Sequence, residues 1–471
     1  MQNLQFDISS LEEEMQQLHV MMVPWLSYSH IRAFLEFAKI LGAHGLEISF
    51  LSTPLNNRWI RQQISQLHPI PEIDLLQLPL PSVEGLPAGV ESTADLKRGG
   101  TFELLIKAMD EWEKPFEALL ARISPDFVIH DMTQYWASRI AAKLGIPTIF
   151  FANTSAVSSG FLLGYEAVIA EESTIVPDLT VPPPGFPSAH IRHSQFQGQK
   201  NLHVLQKKEG QINMAERWNM CFNGSWVIAF NTCIELEAKY LEYLQRTSGR
   251  PVLPVGIQMP DLTLPPADDR CLAWLDVQKP YSVVVVSLGS ECILTPKDLA
   301  ALALGLEESE LPFLFVLLHQ MAAALPRGFV GRTKGRGLLV TEWAPQLHIL
   351  AHSSAGGFLT HCGWSLVSEG LRFGVPIVTL PMQYEQGLNA KLIAQELKLG
   401  VEVRRNEEDD SFSKEDICKA VWTLIVEEEG RYIRSRIQEI NAILTRHDCQ
   451  IHRSNIHNFV SLIKEKAGSL M

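Results

Sequence analysis

Short apolar runs punctuate the chain and alternate with stretches of helical spacing. In the first half they are HVMMV (19–23), LEISFLS (46–52), DFVIHD (126–131), PTIFF (147–151) and WVIAF (226–230). In the second half they are SVVVVSL (282–288), LPFLFVLL (311–318), GLLV (337–340), GGFLTH (356–361), VPIVTL (375–380) and GVEVR (400–404). The runs are β-branched and lack polar alternation. That predicts strands buried on both faces, as in a parallel sheet covered by helices. Two halves with this rhythm predict two doubly wound α/β units with a deep cleft between them, where ligands bind beyond the carboxyl ends of the strands.

The boundaries follow from proline. Residues 247–269 hold five prolines and little helical pattern, and read as a linker. The expected units are therefore 1–246 and 270–450, with 451–471 as a closing helix that packs back on the first unit. A second Pro-rich stretch, VPDLTVPPPGFP (176–187), reads as a surface loop beside the cleft.

Composition narrows the function. The 471 residues carry 40 Lys plus Arg against 53 Asp plus Glu, a net charge of −13. A nucleic-acid binder needs a basic face, and so does a protein docking on anionic lipid. No apolar run reaches the length of a membrane span. The N-terminus carries Glu12, Glu13 and Glu14 rather than a basic-then-apolar leader. Seven irregularly spaced cysteines give no disulfide framework. NGS at 223–225 then reads as a turn. A cytoplasmic, monomeric protein with a small-molecule partner is expected. Several common cofactor and catalytic motifs are absent: G-x-G-x-x-G after the first strand, the P-loop, and the G-x-S-x-G elbow.

The informative stretch is WAPQLHILAHSSAGGFLTHCGWSLVSEGLRFGVPIVTLPMQYEQ, 343–386. Strand GGFLTH delivers His361, Cys362, Gly363 and Trp364 to a tight turn, and a helix follows with Ser365 near its N-cap. Such a helix start aims backbone N–H groups at an anion. Gly363 lets the backbone approach closely. His361 can donate to phosphate, Trp343 offers a flat face to a base, and Glu369 can accept from ribose. Glu385 and Gln386, past the next strand, suit sugar hydroxyls. His30 lies where the first strand gives way to a helix, and Asp131 ends DFVIHD. An imidazole there can take a proton from a hydroxyl, with the carboxylate fixing its tautomer.

The stretch resembles the signature box of the plant family 1 UDP-sugar glycosyltransferases through WAPQ (343–346), His352, GGFLTHCGW (356–364), Glu369, GVP (374–376), Pro381 and Glu385-Gln386. The likeness extends more loosely over nearly the whole chain, through PWLSYSHI (24–31), PDFVIHD (125–131), AAKLGIP (141–147), VSLGSE (286–291) and NFVSLI (458–463). It implies the glycosyltransferase B fold, an α/β arrangement of two Rossmann-like domains facing across a cleft, with the acceptor in the first unit and the UDP-sugar in the second. It also implies roles. Trp343 stacks on uracil, with Ala344 beside it. Gln346 and Glu369 hold ribose. His361 and Ser290 bind phosphate, bordered by Gly363, Ser365 and Leu366. Trp364, Glu385 and Gln386 contact the donor sugar, and a terminal Gln goes with glucose. His30 is the base and Asp131 orients it. The phosphates leave toward a helix N-terminus, so no cofactor or metal is required.

The pattern is broken at Ser29 and Ala33, which stand where the family has Gly and Pro, and at Ser365-Leu366, where it has Asn-Ser. Leu366 offers phosphate its backbone N–H but no side-chain bond. A Ser after the box Trp resembles the subgroup that extends sugars on glycosides, as do SLGSE, PWL and EQGLNAKL. The expected reaction is an inverting transfer, of glucose first of all, to a terpenoid or flavonoid glycoside. The alternatives are glucosylation of an aglycone and a silent UDP-sugar-binding protein. The acceptor pocket is expected from loops 77–100 and 155–215. His348, His352 and His361-Cys362 match no zinc spacing, so no metal is expected. Cys362 reads as a packing residue; Trp136, Trp218 and Trp226 read as core or cleft wall, and EEDD (407–410) as a solvated loop.

Overall fold

The computed structural model describes residues 17–65, 72–96, 102–171, 176–206, 212–260, 262, 269–292, 294–446 and 451–469. The acidic stretch Glu12–Glu14, parts of the 247–269 linker and parts of the expected acceptor loops lie outside the described residues.

The apolar runs form two parallel sheets. The first contains β1 (His19–Val23), β2 (Glu47–Ser52), β3 (Ile73–Gln77), β4 (Phe127–His130), β5 (Thr148–Ala152), β6 (Val227–Phe230) and β7 (Val252–Pro254), in the order β3-β2-β1-β4-β5-β6-β7. The second contains β8 (Val283–Ser287), β9 (Phe313–Val316), β10 (Gly337–Val340), β11 (Ala355–Thr360), β12 (Ile377–Thr379) and β13 (Gly400–Glu402), in the order β10-β9-β8-β11-β12-β13. Val20 to Val23 and Val283 to Val286 are buried, because helices cover both faces of each sheet.

Two strands depart from the sequence reading. β3 lies at the sheet edge and is only half-buried, so its apolar signal is weak. β7 sits inside the stretch expected to be an irregular linker. Its Pro254 has no N–H to give a ladder, and β7 is the opposite edge strand, where that loss is tolerated. The helix Ile234–Ser248 also runs past the expected boundary.

Five helices matter for the site: α1 (Tyr28–Ala43), α2 (Gln195–Asn201), α3 (Trp364–Phe373), α4 (Gln386–Lys391) and α5 (Ile451–Gly468). α1 buries Ile31, Phe34, Leu35, Phe37, Ala38 and Leu41, the stripe that helical spacing predicts. α5 contributes Ile456, Phe459, Val460, Ile463 and Ala467 to the core of the first sheet, where the Phe37 and Phe459 rings lie 5.4 Å apart. Fully burying a side chain of this size stabilises by about 1.5–3 kcal/mol. A separate cluster joins the halves, packing Phe161, Leu236 and Tyr240 with Trp364, Leu371, Leu388 and Ile393. Among the described residues, no helix is long and apolar enough to cross a membrane.

In each sheet the strand order reverses at one point, between β1 and β4 in the first and between β8 and β11 in the second. Crossovers leave these switch points in opposite directions, which opens a crevice beyond the strand ends. The loops that follow β1, β4, β8 and β11, joined by those after β10 and β12, carry the candidate site.

Candidate active site

Val23 at the end of β1 is in register with His130 at the end of β4. The next turns therefore bring His30, the third residue of α1, beside Asp131. His30 Nδ1 lies 2.8 Å from Asp131 Oδ2. A carboxylate accepts only, so Nδ1 carries the proton and Nε2 is left with its lone pair. Asp131 is buried and fixed from two sides: the Trp25 amide donates to Oδ2 at 3.0 Å and the Met132 amide to Oδ1 at 2.7 Å. Burial disfavours the imidazolium. The charge and hydrogen bond of Asp131, with Glu291 and Glu385 behind it, outweigh that and raise the His30 pKa above its ordinary value.

The second sheet supplies the other wall. β8 ends before Ser290 and Glu291, and β11 ends before His361. α3 starts at Trp364 with Gly363 as its cap and no side-chain capping bond. Ser365, expected near the cap, is the helix's second residue. A Cβ at Gly363 would sit 2.7 Å from His361 Nε2, so this turn needs glycine. Burial holds the His361 pKa down to about 4, and the imidazole is neutral at pH 7. Its Nδ1 is buried with no hydrogen-bond partner among the described residues. Leu366 is half-buried against the cluster of Val285, Ile349 and Phe358, and also lines the cavity.

Trp343 is 78% exposed and presents its ring to the cavity. Ala344 and Gln346 flank it. Gln346 Nε2 donates to Glu369 Oε2, and Arg32 of α1 approaches the same carboxylate at 3.8 Å. Burial raises the Glu369 pKa, opposed by Arg32 and Gln346. At the next strand end, Gln386 Oε1 accepts from the amides of Met382 and Gln383, both at 3.0 Å, which leaves its Nε2 for a ligand. Burial also raises the Glu385 pKa, against its own backbone hydrogen bond and the charge of His30.

All fourteen residues singled out in the sequence belong to one region. All but Asp131 line a single cavity of about 1400 Å³, and Asp131 stands directly behind His30. Its first-unit wall mixes apolar side chains, Phe102, Ile106, Met132 and Trp218, with charged ones, Glu103, Lys107, Asp110 and Arg217. Trp364 is placed differently from a free sugar platform. It is buried, and its Nε1 donates to the Asn231 carbonyl of the first half at 2.8 Å. The EEDD stretch needs correction at its last residue: Asp410 pairs with Arg405 at 3.1 Å instead of facing solvent. Of the three tryptophans, Trp136 is core and Trp218 is buried against the cavity. Cys362 is buried. His352 is taken by Ser354 and Asp276.

Residue-by-residue reading missed the groups that cross the cleft. Glu291 accepts from Ser27 Oγ at 2.9 Å and from Thr93 Oγ1. Asn231, Asn201 and Ser155 bond to the second half through Trp364, Tyr384 and Asn389. Ser27 and Glu291 lie in PWLSYSHI and VSLGSE, Asn389 in EQGLNAKL, and Ser155 and Asn201 in the 155–215 loop, but nothing in those stretches gives the pairings.

Comparison with known proteins gives the family. The profile of the family described as UDP-glucoronosyl and UDP-glucosyl transferase matches residues 236–439. UDP-glycosyltransferase 91D1 of Stevia rebaudiana is 35% identical over 98% of this chain and 95% of its own. Anthocyanidin-3-O-glucoside rhamnosyltransferase of Petunia hybrida is 33% identical, over 93% and 96%. The Phytolacca americana UGT2 structure complexed with UDP-2fluoro-glucose and pterostilbene superposes with a TM-score of 0.76 at 26% identity, over 95% and 99%. The chain belongs to the plant UDP-glycosyltransferases, enzymes of glycosyltransferase B fold that use UDP-sugar donors and small-molecule acceptors.

Proposed function

We propose that this enzyme transfers glucose from UDP-glucose, with inversion, to a hydroxyl of a small-molecule glycoside. The observation that carries the reading is the His30–Asp131 pair at one switch point, opening into the same cavity as His361 at the other and Trp343 beyond β10. In this reading His30 Nε2 takes the acceptor proton as the acceptor oxygen bonds the anomeric carbon. The carbon–oxygen bond to UDP breaks and its electron pair leaves on phosphate. Asp131 stabilises the imidazolium formed. Attack on the face opposite the leaving group inverts the anomeric carbon.

The remaining roles divide between the units, acceptor in the first and donor in the second. Trp343, with Ala344 beside it, takes uracil, and Gln346 and Glu369 take ribose. Ser290, His361 and the unpaired amides at the start of α3, from Gly363 through Ser365 and Leu366, take the diphosphate. Glu385, Gln386 and the edge of Trp364 take the sugar. An amide donor beside a carboxylate suits a neutral sugar, which supports glucose. The acceptor side joins apolar side chains, Phe102, Ile106, Met132 and Trp218, to polar and charged ones, among them Glu103, Asp110, Arg217 and Glu291. That combination suits an apolar aglycone carrying a sugar, and the relative's acceptor, a 3-O-glucoside by its name, supports it.

The test is incubation with UDP-glucose against flavonoid and terpenoid glycosides and their aglycones, read by mass shift and UDP release. The reading expects one added hexose on a glycoside. Products from aglycones alone would favour direct glucosylation. UDP-glucose binding without any product would leave a binding protein.

A further inference from the structure

The segment expected to contact the donor sugar is held in place from the other unit. α2, which follows the Pro-rich stretch of the first unit, lies against loop 381–387 of the second. Asn201 is 7% exposed, and its Nδ2 donates to the Tyr384 carbonyl at 2.8 Å. Lys200 Nζ donates to the Met382 carbonyl at 2.9 Å. Gln197 Nε2 reaches Asp410 Oδ1 at 3.2 Å; Asp410 in turn pairs with Arg405, which donates to the Pro381 carbonyl. A Cβ on Gly387 would meet Gln197 Oε1 at 2.5 Å, so α2 sits directly on the exit of the loop.

The loop needs such support. Tyr384 has φ +53°, a left-handed conformation that a non-glycine residue keeps only where its surroundings hold it. Its own internal brace is Gln386, whose Oε1 is spent on two backbone amides. Glu385 lies between the two. Any rotation of the Tyr384 peptide therefore moves the carboxylate of Glu385 and the amide of Gln386 together.

We propose that Asn201, assisted by Lys200, is a positioning residue for donor-sugar recognition: from the acceptor-side unit it fixes the backbone that aims Glu385 and Gln386. This rests on the donor-site reading above. Sugar choice is then set by both units, and α2, whose Asn201 also borders the cavity, is where it can be altered.

Calorimetric titration of the full-length chain tests this with UDP, UDP-glucose and UDP-galactose as probes. Asn201→Ser removes the reach, and Lys200→Met removes one bond from an exposed side chain. A lost bond of ordinary strength corresponds to about a 5-fold change. Asn201→Ser is expected to leave the UDP Kd unchanged, to weaken UDP-glucose about 5-fold or more, and to shrink the preference over UDP-galactose. Lys200→Met should move the same ratio in the same direction by less. An unchanged ratio of UDP-glucose to UDP affinity in both variants overturns the proposal, as does equal weakening of UDP and UDP-glucose. Failure of the wild-type chain to bind UDP at all would instead remove the donor-site reading, and this proposal with it.

Discussion

Ser27 donates to Glu291 across the cleft at 2.9 Å, from a position 264 residues away in the chain. Ser27 is the cap residue of α1, the helix that carries His30, while Glu291 directly follows Ser290 on the donor side. One carboxylate therefore links the two walls of the site and adds to the negative charge facing His30.

That link has a consequence for pH. Burial lowers the His30 pKa, and Asp131, Glu291 and Glu385 together raise it above the ordinary value. A base works unprotonated, so a raised pKa places the acid limb of the rate profile above that of an ordinary histidine. Glu291→Gln keeps an oxygen for Ser27 but removes the charge. The acid limb should move to lower pH, so the rate at pH 6 rises relative to that at pH 8. A profile of kcat/KM from pH 5 to 9 checks this.

Much of this site is readable along the chain because the chemistry lies where buried strands end. β1, β4, β8 and β11 are continuous apolar runs, and His30, Asp131, Ser290 and His361 follow them. What is not readable depends on packing between distant segments. No local pattern tells that the Trp364 indole bonds to Asn231, or that Asn201 supports Tyr384. β7 is hidden by its prolines, since proline marks an irregular segment everywhere except at a sheet edge. Asp410 is hidden inside an acidic run whose other members do face solvent.

Leu366 stands third in α3, where backbone amides have no helical partner. A hydroxyl there adds one hydrogen bond to a charged group, worth about 1.5–3 kcal/mol before water is counted. Leu366→Ser should tighten UDP binding by about 10-fold. It also removes apolar packing against Val285 and Phe358 and should cost about 1–2 kcal/mol of stability. Titration with UDP and a thermal melt of both proteins measure the two effects separately.

Glu237 gives a stability test remote from the chemistry. It is fully buried and accepts from the Val157 amide at 2.8 Å. Burial, and then the charge of Glu396, push its pKa to about 7, against the hydrogen bond from the Val157 amide. An acid whose folded pKa lies above its unfolded value stabilises fully below the unfolded value, near 4.5. That contribution is lost as pH rises toward the folded one. Ionised Glu237 therefore costs on the order of 3 kcal/mol above pH 7. Glu237→Gln should melt several degrees higher than wild type at pH 8 and at nearly the same temperature at pH 5. Melting curves at both values decide it.

The central claim is that His30 is the base of a glycosyl transfer while UDP is held by the other unit. The most direct measurement is His30→Ala in two assays on the same preparation, UDP titration and transfer from UDP-glucose to the best acceptor of the panel. The account predicts an unchanged UDP Kd with turnover lowered about 10²–10⁴-fold, the usual worth of a general base. Wild-type turnover in that variant would contradict it.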